Sequence, residues 1–251
     1  MILRIFAAAM KRVTIYIFLF SVLLLGNSCD KERGCIKGEG ASREIEFTLA
    51  QFRTLNLGLV ADVFIEQDTS AEFSHIQVVA QSNILDKIEV EHYHDFVGFK
   101  FNECIKRHSD IRIFITVADL NQIIIDGAGD VRTKELFITD QLEVNINGPG
   151  DVNLLLDARE IITRINAEGN VNLAGAVDHH RIFVSASGDI NAFDFISDTT
   201  SIQIESSGFS RVYADSLLQI VTLDRGNVHY RGFPELKIVG EGTSTVTEVN
   251  L

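Results

Sequence analysis

The chain has 251 residues and is acidic, with 35 Asp and Glu against 22 Lys and Arg and a formal net charge of −13. Such a charge repels nucleic acid and anionic lipid headgroups, so we expect neither as a partner. There are only 2 Pro and no convincing helical periodicity, and runs of alternating apolar residues indicate an all-β fold.

The amino-terminal segment has the pattern of an export signal. Met10-Lys11-Arg12 precedes an apolar run from Val13 to Leu25, which is too short to span a bilayer comfortably and is followed by small residues and Cys29. We therefore interpret residues 1–28 as a lipoprotein signal peptide and Cys29 as the lipid anchor. Ordinary secretion, or cleavage at another position, is the alternative.

Lipidation would also decide the location of the protein. Because residues 1–28 hold three bases (Arg4, Lys11 and Arg12) and no acid, their removal lowers the formal net charge from −13 to −16. Membrane attachment then depends on the acyl chains of Cys29, since each buried methylene contributes about 0.8 kcal/mol. We expect an exported protein anchored in the cell envelope, in the outer membrane of a Gram-negative bacterium, facing either the periplasm or the surface.

The other two cysteines are Cys35 and Cys104, and an exported chain meets an oxidising compartment. They could form a disulfide that ties the tail to the domain, or remain two free thiols, because the sequence does not place their Cα atoms within reach. Residues 29–41 are charged and glycine-containing, and they are predicted to be a lipidated tether.

Residues 42–251 are predicted to form a single domain, with a less regular part, 43–119, and a regular part, 120–251. The first part contains alternating runs such as Asp62 to Gln67, which are typical of strands. At about twenty residues a coil, it would add roughly three or four coils to a stack of roughly ten. A separate amino-terminal β domain is the alternative.

The second part repeats Gly, then Asp or Asn, then a β-branched residue. The Gly and Asp or Asn positions, which we call the turn column, are Gly129, Asp130, Gly150, Asp151, Gly169, Asn170, Gly188, Asp189, Gly226 and Asn227. Apolar or small residues recur at even offsets on both sides of each glycine. Alternation with period two therefore places these residues on the inward side of stacked strands.

This repeat predicts a parallel β-solenoid with coils of about twenty residues, whose equivalent residues stack about 4.8 Å apart. We expect each corner glycine to adopt a positive φ, and the following Asp or Asn to hydrogen-bond local backbone as in an Asx turn. The turn column is thus interpreted as structural. A calcium ladder is the alternative, because stacked carboxylates offer the oxygen ligands that Ca²⁺ prefers.

Several segments together resemble the GIN domain family of auto-transporter adhesin heads, a family of unknown function that is abundant in Bacteroidetes. They are Phe52–Leu57, Asp62–Gln67, Ser82–Leu85, Ile125–Val131 and Ile146–Val152, after a lipoprotein signal. The resemblance covers residues 43–251 and implies a right-handed parallel β-solenoid, or β-helix, on an exported protein. It supplies no catalytic residues. Phe209 and Arg225 depart from the corner pattern, which predicts distortion of the last coils.

No cofactor, metal site or catalytic residue is assigned. His92 and His94 are spaced to share a zinc with Glu89, Asp95 or His108, but surface histidines are the simpler interpretation. The adjacent His179 and His180 are expected in a connecting loop, pointing in opposite directions. Acidic residues are not clustered above the acidic background, so a polysaccharide lyase or hydrolase remains only the alternative to a protein without enzymatic activity.

A binding surface is expected on outward-facing residues. Phe183 and Phe193, with Ile124, Val221 and Val239, predict an apolar strip that either receives a partner or is covered by another part of the chain. We therefore predict a binding, adhesion or structural module of the cell envelope, with a protein or glycan ligand. A periplasmic scaffold, or self-association, is the alternative.

Overall fold

The described part of the chain is almost entirely β-structure. A computed structural model describes residues 34–249, and strands account for 63% and helix for 2% of the protein. The predicted signal peptide, 1–28, and the predicted lipid site, Cys29, lie outside these residues. Within residues 34–249, no helix is long and apolar enough to cross a membrane.

Short strands and one helical turn make up the amino-terminal half. They are β1 (Ile36–Lys37), β2 (Ser42–Ala50), β3 (Thr54–Leu57), β4 (Asp62–Gln67), β5 (Phe73–Gln81), α1 (Ser82–Leu85), β6 (Ile88–Tyr93), β7 (Phe96–Phe101), β8 (Ile105–Arg107) and β9 (Arg112–Val117). The alternating run from Asp62 to Gln67 is thus a strand, as predicted.

The carboxyl-terminal half contains the longest of the described strands. Its strands are β10 (Gln122–Ile125), β11 (Asp130–Thr133), β12 (Phe137–Ile146), β13 (Val152–Ile165), β14 (Val171–Val184), β15 (Ile190–Ile204), β16 (Phe209–Tyr213), β17 (Leu217–Thr222), β18 (Asn227–Arg231), β19 (Glu235–Val239) and β20 (Thr245–Glu248). β13 pairs with β11 at its start and with β12 along the rest. One long strand therefore spans the positions that β11 and β12 occupy as two separate strands.

Parallel pairing of successive coils confirms the predicted β-solenoid, which has about 7 turns and coils of about 19 residues. One inward column runs through Val144, Thr163, Ile182, Ile202 and Ile220, each paired with the next. All five side chains are buried. Stacked apolar columns of this kind form the core, and their burial supplies about 25 cal/mol per Å².

Residues 43–119 do not continue the stack in chain order, which corrects the predicted run of coils. β3 and β4 pair in parallel with β10 and β11 on one side, and with β7 and β9 on the other. The coil that contains β3 and β4 therefore lies between β7 and β9, which follow it in the sequence, and the regular stack that begins with β10 and β11. Alternation in the sequence identifies the inward side of a strand, but not the order in which strands pair.

Antiparallel strands close the amino-terminal end of the stack. β6 pairs with β7, β5 with β9, and β2 with β5. Helix α1 follows β5 and buries Ile84 and Leu85. We call β2, β5, β6 and α1 the cap. Because the cap uses residues that were predicted to form coils, the stack has fewer turns than the sequence indicated.

The compact unit begins at Ile36, before the predicted domain start at residue 42. Ile36–Lys37, predicted to belong to the tether, is strand β1 and pairs in parallel with β8. The Glu39 N–H donates to Asn83 Oδ1 at 2.8 Å. Cys35 and Cys104 are both disulfide-bonded, so the alternative of two free thiols is wrong.

Candidate functional site

Corner glycines are required by close stacking of the coils. A Cβ on Gly150 would lie 2.0 Å from the Gly129 carbonyl oxygen, and one on Gly169 would lie 2.1 Å from the Gly150 oxygen. The predicted positive φ is wrong for the turn column, because the glycines with positive φ in residues 34–249 are Gly40, Gly175, Gly232 and Gly240. The glycine of each repeat is therefore required by the short distance between the backbones of neighbouring coils.

Asp and Asn of the turn column connect successive coils. Oδ1 of Asp130 accepts the N–H of Asp151 at 3.0 Å, Oδ1 of Asp151 accepts that of Asn170 at 2.8 Å, and Oδ1 of Asn170 accepts that of Asp189 at 3.1 Å. The predicted bond to local backbone is thus replaced by a bond between coils. At the next corner, the Phe209 N–H donates to Asp189 Oδ1 at 2.9 Å. The Phe209 side chain has no acceptor, so this series of hydrogen bonds between coils ends there.

These hydrogen bonds assign the turn column a structural role. The acceptor oxygens point to backbone donors of the next coil, and none of the groups of His, Cys, Asp and Glu in residues 34–249 could hold a metal ion with three or more ligands. A second ladder runs along the corner, from Asn56 through Asp126, Asn147 and Asn166 to Ser185. The sequence analysis missed it, although each of the last four residues directly follows an inward apolar residue.

The histidines considered as possible ligands, His92 and His94, do not lie on one strand. His92 lies in β6, whereas His94 lies beyond the end of that strand with a φ of 51°. His179 and His180 lie within β14 rather than in a loop, and they do point in opposite directions. His180 is buried, with Nε2 at 3.1 Å from Thr163 Oγ1 and its ring against Phe195, and desolvation lowers its pKa to about 3.

The predicted outward apolar strip is not continuous. The guanidinium of Arg164 covers the ring of Phe183, and that of Arg231 covers Phe193, each 4.3 Å from the ring centroid. Cation–π contacts of this kind cover part of each aromatic ring. Among the predicted residues, Val239 is strongly exposed.

A groove on the outer face of β13, β14 and β15 brings together three asparagines that the sequence analysis did not single out. Asn153, Asn172 and Asn191 occupy equivalent positions in β13, β14 and β15. We call this site the asparagine groove; it measures about 310 Å³ and is lined by Thr133, Asn153, Leu154, Leu155, Asn172, Leu173, Ala174, Asn191 and Asp194. The signal was present in the sequence, because each asparagine directly follows the β-branched residue of a repeat.

Two irregularities of the strands shape this groove. β11 ends at Thr133, whose hydroxyl accepts the Leu155 N–H at 2.8 Å in place of a strand partner. A register shift follows Asn172 in the pairing of β14 with β15. Beside it, Gly175 has a φ of +113°, and a Cβ there would lie 1.9 Å from the Leu156 oxygen, so glycine is required. Such bulges re-aim side chains next to functional sites.

The asparagine row is flanked by charges that are already paired. Arg132 lies on one side of the row in the same column and contacts Asp62 at 3.0 Å. Arg211 lies on the other side and contacts Asp189 at 3.8 Å. Asp194 is the acid of the groove lining. The groove therefore combines amide donors and acceptors with one acidic side chain.

A larger cleft, of about 550 Å³, lies beside the corners at the capped end. Its lining includes Val60, Phe101 and Arg107, together with Asp62 and Asp110. Charges of both signs face this cleft, so its lining does not define one class of ligand.

Comparison with sequence families decides the relationship. Residues 51–234 match the family described as "Putative auto-transporter adhesin, head GIN domain". The chain belongs to this family. The resemblance inferred from the corner repeats is therefore confirmed. No curated protein matches the chain.

Solved structures similar to this GIN domain include proteins from Bacteroides fragilis and Parabacteroides. A "putative adhesin" from B. fragilis has a TM-score of 0.80 at 20% identity, covering 85% of this chain and 100% of that one. A "putative lipid binding protein" from P. distasonis gives 0.68 at 20%, covering 85% and 99%. A "putative adhesin" from P. merdae gives 0.67 at 17%, covering 85% and 98%. These likenesses show that the GIN domain fold is shared.

Proposed function

We propose that the protein is an exported binding module of the cell envelope, an adhesin that holds a neutral glycan in the asparagine groove. Membership of the GIN family, and the adhesin descriptions of proteins with the same fold, support the adhesive role. The observation that carries the ligand class is the row of Asn153, Asn172 and Asn191 at equivalent positions of three coils.

Asparagine amides suit the hydroxyl groups of a sugar because each offers two donors and an acceptor with two lone pairs. The Asn172 side chain donates to Asn153 Oδ1 at 2.9 Å. This bond fixes both amides and leaves further donor and acceptor capacity on each. Coils stack about 4.8 Å apart, so an extended ligand that lies along the stack meets one amide per coil.

The apolar part of the groove complements the C–H surface of a sugar ring. Leu155 is 41% exposed and lies beside the asparagine row. Concave sites of mixed apolar and polar lining, with few charges, favour neutral ligands that combine both kinds of surface. The Asp194 carboxylate in the lining disfavours an anionic ligand.

Anchoring through acyl chains on Cys29 and exposure at the cell surface complete the proposal. Adhesion requires that the domain is outside the cell, so protease treatment of intact cells should digest it. A domain that survives this treatment, but is digested after the outer membrane is opened, would contradict adhesion and favour a periplasmic scaffold.

A glycan array tests the ligand directly. The purified protein should bind a subset of neutral oligosaccharides, and Asn191→Ala should reduce that binding while leaving the fold intact, because Asn191 is exposed. Asn145→Ala, on the outer face of β12, is the matched control and should bind as the unchanged protein does. Equal loss in both variants, or binding only to acidic glycans, would contradict the proposal.

A further inference from the structure

The carboxyl-terminal end of the stack is open, in contrast to the capped end. β19 pairs with β17, and β20 pairs with β18. Within residues 34–249, no strand pairs with the other edge of β19 or β20. Leu236 and Ile238 are 39% and 51% exposed, whereas their partners in the preceding coil, Leu218 and Ile220, are each 0% exposed. The inward columns of the core therefore reach solvent here.

We infer that the open end binds the open end of a second copy of this chain. A free strand edge with exposed core residues is a template for further pairing. At the capped end, β6 and β5 already pair with β7 and β9, and the edges that stay unpaired belong to the antiparallel cap strands β2 and β6. The cap thus covers the inward columns that the open end exposes, so two open ends match each other and form a closed two-fold dimer.

Backbone directions define which residues can pair across the dimer. The Glu235 N–H donates to the Ser216 carbonyl oxygen at 2.9 Å, so Glu235 directs its backbone groups towards the preceding coil. These directions alternate along a strand, and the N–H and C=O of Leu236 therefore face the open edge. A two-fold axis at Leu236 pairs it with Leu236 of the second copy through two reciprocal hydrogen bonds.

Charge complementarity favours this register over the adjacent one. With the axis at Leu236, Glu235 of one copy lies opposite Lys237 of the other, and the reverse pair forms as well. With the axis at Lys237, two lysines would lie opposite each other, which is destabilising. The Leu236 register also brings Phe233, 85% exposed, opposite Val239, 59% exposed. The dimer then carries one cap at each outer end and two asparagine grooves.

Sedimentation of the purified mature chain at increasing concentration tests the dimer. We expect a reversible monomer–dimer equilibrium, with a dissociation constant that Lys237→Glu raises about tenfold, because two attractive pairs become repulsive. The double variant Glu235→Lys with Lys237→Glu should restore the original constant, since the pairs are exchanged. Lys134→Glu, in the middle of the stack, is the control and should leave the constant unchanged.

Three results would overturn this inference. They are a monomer at every concentration, a dimer that is insensitive to Lys237→Glu, and a double variant that remains as weak as the single one. Lys237 is exposed and its substitution should not unfold the chain, which a melting curve verifies. The dimer does not depend on the asparagine groove, so glycan binding and dimerisation can fail separately.

Discussion

The backbone N–H of Asn170 donates to Oδ1 of Asp151 in the preceding coil at 2.8 Å, and the Asn170 side-chain amide donates to the same oxygen at 3.0 Å. One carboxylate thus fixes both the backbone and the side chain of the next corner. This relationship explains why the repeat keeps an acceptor at this position without any need for a bound cation.

Removal of this acceptor should therefore destabilise the stack. Asp151→Ala leaves two donors of Asn170 without their partner, and we expect a loss of about 1–3 kcal/mol in the free energy of unfolding. Urea denaturation measures it. Asn147→Ala, on the exposed corner ladder, is the control and should cost less, because water replaces its bonds. Equal effects would contradict the structural role of the turn column.

Any side chain at the corner glycines should be strongly unfavourable. Gly169→Ala places a Cβ 2.1 Å from the Gly150 carbonyl oxygen, and we expect a loss of about 1–3 kcal/mol or more. Gly169→Asn distinguishes a requirement for positive φ from a requirement for close approach of the coils, because asparagine tolerates the first but not the second. Thermal melts should show both variants destabilised; a tolerated Asn would argue for the backbone explanation.

The free energy of unfolding should decrease as the pH is lowered, because the unfolded chain protonates His180 more readily than the folded protein does. Burial holds its pKa at about 3 in the folded state, below the ordinary histidine value of 6.5. The unfolded chain therefore binds the proton first, so the contribution of His180 is fully present above pH 6.5 and is lost as the pH falls towards 3. The loss is about 1.4 kcal/mol per pH unit within this window.

Denaturation between pH 6.5 and 5 measures this dependence. His180→Leu should reduce the slope of the unfolding free energy against pH, even though it removes the hydrogen bond to Thr163 and lowers stability at every pH. His179→Gln, at the exposed neighbouring position, should keep the slope of the unchanged protein. A slope that persists in His180→Leu would assign the dependence to other groups.

The proposed lipid anchor, Cys29, can be tested by labelling. We expect that Cys29→Ser abolishes the incorporation of labelled fatty acid and moves the protein from the membrane fraction to the soluble fraction. Cys35→Ser is the control, and it should still be lipidated. Label that remains in Cys29→Ser would place the anchor elsewhere.

Repetition explains how much of the fold could be predicted. Residues such as Val144 and Ile182 recur at equivalent positions, and their period and alternation imply parallel stacking with an inward core. The cap could not be predicted in the same way. Strands such as β5 and β6 alternate like any others, and alternation contains no signal for antiparallel direction or for insertion of one coil beneath another.

The site was harder to predict than the fold for a related reason. Inward positions are constrained by the core, whereas outward positions such as Asn153 and Asn191 are free to vary between coils. Their recurrence after Val152 and Ile190 was visible in the sequence. The groove itself depends on the end of β11 and on the bulge after Asn172, and these irregularities follow from the packed structure.

The most direct measurement is a calorimetric titration of the purified protein with the neutral oligosaccharide that binds best on the array. We predict saturable binding at one site per chain, a dissociation constant at least about tenfold weaker in Asn191→Ala, and an unchanged constant in Asn145→Ala. Binding that survives Asn191→Ala unchanged, or no saturable binding of any neutral glycan, would contradict the proposed role of the asparagine groove.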